Sequence, residues 1–211
     1  VTALAIIMLA LADFSFNTFN ISYNHTLQVE NANQSRFSSE RILNEINKAA
    51  YIFPANQNIT LITDEGSDSI NTNDAIAMLI PANTSQVSQQ YNLVAFYLLD
   101  GTQDKKDLYE FRSSNSYNWS KNTVPISSFS TVQGNKSLVA NDICENNTEL
   151  TYILNSDNGV ADSILQGSIS GVSSDSPTAL IKGVDWIIAT QKNVLLKTEI
   201  KGIAKNVPRI L

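Results

Sequence analysis

The 211-residue chain has one cysteine, one histidine, 8 glycines and 5 prolines. Lone Cys144 cannot close an internal disulfide, and a single sulfur with a single imidazole cannot build a structural zinc site. Lone His25 leaves no Ser-His-Asp or multi-histidine constellation within one chain. Charge is also scarce: Asp, Glu, Lys and Arg make up 16% of residues, with a net charge of −6. That balance argues against a protein that tracks phosphates, so no specific nucleic-acid partner is expected. Metal and triad chemistry lack their parts. The expectation is a protein that is not an enzyme and uses no cofactor or metal.

What replaces charge is uncharged polarity, with 24 Asn, 24 Ser and 15 Thr. Such a surface suits an extracellular protein. N-x-S/T sequons begin at Asn20, Asn24, Asn33, Asn58, Asn83, Asn118, Asn135 and Asn146, making these eight positions candidates for glycosylation. An Asn/Ser/Thr-rich chain also produces sequons by accident. With 43% apolar residues the chain can bury a real core.

Val1–Ala12 is apolar and uncharged. As a helix it spans about 18 Å, short of the roughly 30 Å hydrocarbon layer. Alone it is no membrane span, so it needs lipid or copies of itself around it. Burying Val1, Leu4, Ile6, Ile7, Met8, Leu9 and Leu11 is worth roughly 10 kcal/mol or more before entropy costs. From Asp13 to Ser35 there is no Lys or Arg, and aromatics alternate with Asn, Ser and Thr. Their poor helix propensity predicts a distorted or unwound patch between Phe14 and His25. From Arg36 onward Ile42, Ile46, Ala49, Ala50 and Phe53 share one helical face, the expected contact with a sheet. Pro54 would end the helix. The chain thus divides into an apolar helix with a weak zone (1–25), an amphipathic half-helix (26–54) and a β-rich head (55–211).

Within the head, apolar runs at Ile59–Asp64 and Ala75–Pro81 flank a turn-rich segment. Leu93–Asp100 with Asp107–Arg112, and Val184–Thr190 with Val194–Lys201, read as hairpins. Glu149–Leu154 reads as a strand. Residues 113–147 read as loop with at most a short strand. Residues 161–177 read as surface loop with room for one helical turn. The fold class is α+β: a long helix on an antiparallel sheet with one face packed and one wet.

Other features are weaker. Asp64, Glu65, Asp68 and Asp74 lack the spacing of a calcium loop and read as a solvated turn. Gly167–Gly171 has Ile169 where a nucleophile elbow needs serine. Cys144 is open between a buried apolar role and an exposed thiol. His25 reads as a surface or subunit-interface residue. Asp13 reads as a helix exit or an intersubunit contact. Six Lys/Arg in the last thirty residues form a basic strip.

Three stretches carry a family resemblance. Ala3-Leu4-Ala5-Ile6 resembles the A-L-A-I core of the type IV prepilin signature, whose leading aromatic and acidic residues would fall before Val1. Arg41-Ile42-Leu43 through Ala49-Ala50-Tyr51 resembles the end of the long helix in minor pilins. Val94–Arg112 resembles the sheet hairpin of larger pilin-like subunits. The resemblance implies a pilin-like lollipop. Its apolar half-helix sits in the inner membrane before assembly, then packs in a filament core with copies of itself or other pilins, while the head faces outward. It also implies leader cleavage, N-methylation and a role in adhesion, motility or surface attachment. The alternatives are a pseudopilin of a secretion system or a helix-anchored adhesin that does not polymerise.

Overall fold

The computed structural model describes residues 2–53, 56–82, 90–101, 105–118, 129–144, 148–154, 164–166, 181–191 and 195–203. It has one N-terminal helix, α1 (Thr2–Lys48), and twelve strands among these residues. The architecture is α+β, a helix packed on a large, curled and mainly antiparallel sheet.

The weak zone expected between Phe14 and His25 is absent, because α1 runs unbroken through it. Low-propensity residues cost a few tenths of a kcal/mol each, and once a nucleus exists each further residue adds a hydrogen bond. The docked end of α1 supplies that nucleus. Thr18 and Thr26 turn their hydroxyls back onto the carbonyls of Phe14 (2.8 Å) and Ser22 (3.0 Å). Those bonds stay within the helix instead of competing with it.

The helix stops at Lys48, six residues before Pro54. Ala49 N–H bonds Ile46 O in a last tight turn, then Ala50 N–H reaches Leu79 O at 2.8 Å and Phe53 N–H reaches Ala77 O at 2.9 Å. A sheet edge recruits the chain before proline can break it. The recruited strand is β1 (Tyr51–Ile52), paired antiparallel with β4 (Ile76–Pro81). Of the five residues expected on one helical face, Ile42 and Ile46 lie in α1 and join Ala49 in the core beneath it. Ala50 and Phe53 lie past the helix end and belong to the core on the other side of the sheet. There the Phe53 ring meets Tyr51 and Phe129 edge-on at 5.3 and 5.4 Å.

Strands β4, β5 (Gln90–Asp100), β6 (Lys106–Ser113) and β8 (Thr131–Ile143) form the antiparallel centre. The expectation of one wet face fails here. Ile76, Met78, Val94 and Phe96 enter the helix-side core, while Ala77, Leu79, Leu93, Ala95 and Tyr97 enter the other. The continuous apolar runs of β4 and β5 are what burial on both faces demands. The far face is covered by a hairpin of β2 (Asn58–Thr63) and β3 (Gly66–Asn71), so the expected turn-rich segment contains a strand.

Residues 131–143, expected to be mostly loop, form the 13-residue β8 that joins both layers. Its start pairs parallel with β2, an exception to the antiparallel pattern, and its remainder pairs with β6. Gly134 allows this crossing, since a Cβ there would collide with the Arg112 carbonyl. A short β7 (Tyr117–Asn118) edges β5.

The helix side is completed by β9 (Glu149–Leu154), β10 (Ile164–Gln166), β11 (Ile181–Gln191) and β12 (Leu195–Ile203). β10 stands where a helical turn was allowed for. The β11–β12 hairpin agrees with expectation, and β12 alternates, with Ile200 and Gly202 buried between exposed Glu199, Lys201 and Ile203.

Candidate functional site

The lower part of α1 is fixed to the head by a face that is half polar. Asn31, Ser35, Ser38, Ile42, Glu45 and Ile46 are buried in sequence along it. Gln34 Nε2 donates to the Asn141 carbonyl at 3.1 Å and to its side-chain oxygen at 2.8 Å. The Ser35 and Thr198 hydroxyls hydrogen-bond. Further along, Arg41 pairs with Glu110 of β6 and donates to Ser137 Oγ at 3.3 Å. Arg112 lies 3.1 Å from Glu45 and 3.2 Å from Glu110. Burial works against the Arg112 charge, and the two carboxylates outweigh it, holding the guanidinium pKa above its ordinary value.

The upper part of α1 touches none of this. From Ile7 to Glu30 every described side chain is exposed except Leu27, which is half-buried. The exposed large apolar groups include Ile7, Met8, Leu9, Leu11, Phe14, Phe16, Phe19, Ile21 and Tyr23, each 58–74% open. Isolated exposed apolar residues are ordinary; these nine along residues 7–23 of one helix make up an exposed, largely apolar surface. Val1 lies outside the described residues, and for Leu4 and Ile6 only the helical backbone is described. Asp13 and His25 are exposed on this same segment. No described helix is long and apolar enough to cross a membrane.

The remaining candidates fall elsewhere. Glu65 and Asp68 bind Lys136 at 3.0 and 3.4 Å, and the Tyr97 hydroxyl donates to Asp68 at 2.9 Å. Asp64 and Asp74 are exposed and outside that cluster. No group of metal-ligating side chains occurs among the described residues. The hydrogen bond to Glu65 is the largest influence raising the Lys136 pKa, and burial first, then Asp68, raises that of Tyr97.

A cleft of about 320 Å³ is lined in part by Asn71, Asn73, Asp74, Lys106, Thr148 and Trp186. Most of its polar groups are engaged within the chain. Asn73 bonds Asn56 at 2.7 Å, Lys106 bonds Asp100 at 2.7 Å, and Thr148 bonds the Cys144 carbonyl at 2.9 Å. Cys144 itself is half-buried.

Sequon residues Asn20, Asn24 and Asn33 are exposed on α1, and Asn58 and Asn135 are exposed on the head. Asn83 and Asn146 lie outside the described residues, and for Asn118 only the backbone is described. Gly167–Gly171 also lies outside them, as do Lys192, Lys205 and Arg209 of the basic strip; Lys201 of that strip pairs with Asp185 at 3.6 Å. Comparison with protein-family models and with curated proteins finds no match.

Proposed function

We propose that this chain is a structural subunit of an extracellular type IV pilus-like filament, assembling through the exposed half of α1 with the β-rich head outward. One observation carries the reading: an apolar helical segment, built without Lys or Arg, stands clear of the head that the rest of the same helix docks against. Leaving it in water is costly, at about 25 cal/mol per Å² of apolar surface. Stacking identical subunits head-to-tail removes that cost in an open assembly. The type IV pilin resemblance of Ala3–Ile6 supports the same reading, with an inner-membrane stage before assembly and adhesion or surface attachment as the outcome. No catalytic group, cofactor or metal enters this function.

Electron microscopy of the full chain tests it. The expected result is helical fibres, abolished by the triple substitution Phe16→Ser, Phe19→Ser, Tyr23→Ser without a change in head unfolding temperature. A chain that stays monomeric in detergent and on its removal sinks the filament reading and favours the non-polymerising adhesin.

A further inference from the structure

The face of α1 that docks on the head continues past it as a line of amides. At 3.6 residues per turn, Asn17, Asn20 and Asn24 lie on the same side as buried Asn31, Ser35 and Ser38. Asp13 begins the line. Phe16, Phe19 and Tyr23 flank it on one side, Phe14 and Ile21 on the other. About 180° away on the same helix lie the exposed hydroxyls of Ser15 and Ser22, seven residues apart.

We infer that this amide line is the register-setting seam of the assembly. Asn17, Asn20 and Asn24 of one copy face the Ser15–Ser22 row on the back of the next copy's helix. The inference rests on the filament reading and specifies its contact.

Three features commit the surface to a second copy of this chain. Between Ile7 and Val29 the only Asp, Glu, Lys or Arg is Asp13, so identical helices meet with little like-charge repulsion. The exposed apolar groups offer on the order of 1,000 Å² per helix, the scale a specific interface needs. The seam also prolongs an interface that already exists, since the same polar line meets the chain's own head through buried Asn31, Ser35 and Ser38. Donor-and-acceptor amides on one face and hydroxyls on the opposite face form a head-to-tail pair, which propagates instead of closing. Flanking aromatics exclude water, so a slipped neighbour would bury the amides of Asn17 and Asn20 against apolar side chains. That penalty picks one stagger, as a buried Asn fixes register in a coiled coil.

The test is electron microscopy of fibres of the full chain, read by their layer lines. The triple variant Asn17→Ala, Asn20→Ala, Asn24→Ala is expected to form fibres that lose their layer lines, and Ser15→Ala with Ser22→Ala to do the same. Asn33→Ala removes an exposed amide off the line and should leave them intact. Triple-variant fibres with wild-type layer lines, or equal disorder in Asn33→Ala, overturn the seam and leave the filament reading standing. Wild-type chain that floats as a monomer on phosphatidylcholine–phosphatidylglycerol vesicles and forms no fibres overturns both.

Discussion

Arg112 on β6 reaches 3.1 Å from Glu45 on the helix, and the same guanidinium lies 3.2 Å from Glu110 on its own strand. Arg41 closes the set by pairing with Glu110 from the helix side. Glu110 is only 5% exposed, so its carboxylate depends on these two cations in place of water. Neutralising it takes away the carboxylate that pairs with Arg41 and leaves Arg112 to Glu45 alone. Glu110→Gln is expected to lower head stability by about 1–3 kcal/mol, read from the denaturant midpoint of tryptophan fluorescence. A loss below about 1 kcal/mol would mean the network behaves as an exposed one.

Gly202 on β12 sits directly beneath the helix. A Cβ at that position would lie 2.7 Å from Ile46 Cγ2. Gly202→Ala therefore pushes α1 off the strand and is expected to cost about 1–3 kcal/mol. Ile46→Val in the same chain removes one methyl near the collision. The double variant should recover part of the loss, a coupling that a double-mutant cycle measures directly.

Alkaline behaviour follows from two buried phenols. Burial lifts the Tyr51 pKa to about 12, and burial with the Asp68 hydrogen bond raises that of Tyr97 as well. Both folded values lie above the unfolded one of about 10. Each phenol's contribution is thus fully present below pH 10 and is lost as pH rises through the folded value. Denaturation midpoints at pH 8, 10, 11 and 12 should hold to 10 and then fall. Tyr51→Phe should flatten the fall between 10 and 12, and an unchanged slope would remove Tyr51 from the account.

The parts of the fold legible in the sequence are those where one residue pattern answers to one neighbour. The β11–β12 hairpin shows it, because exposed Glu199 and Lys201 alternate with buried Ile200 and Gly202. β8 does not. Its pairing with β6 shifts register near Leu108 and Tyr109, and buried Val139 and Ala140 become neighbours, which breaks the period of two. β3 has a single buried side chain, Ile70, and exists because β2 offers it a backbone ladder. The exposed half of α1 was legible in the sequence as an apolar stretch. Its line of amides was not, since Asn17, Asn20 and Asn24 read as helix breakers until the docked face of the same helix gave them a direction.

That direction carries a prediction for the sequons. Asn20 and Asn24 lie on the amide line, where a glycan would hold neighbouring helices apart. Asn58 and Asn135 are exposed on the head, and among the described residues Asn58 uses its side-chain oxygen, accepting from Asn71 at 2.8 Å, which leaves its amide nitrogen for a sugar. Peptide mapping of fibres from the native host should find glycan, where the host adds it, at Asn58 or Asn135 and none at Asn20 or Asn24. Substantial occupancy at Asn20 within fibres would rule out close contact along this line. Occupancy there in a soluble fraction, but not in fibres from the same culture, would show that only bare helices can join.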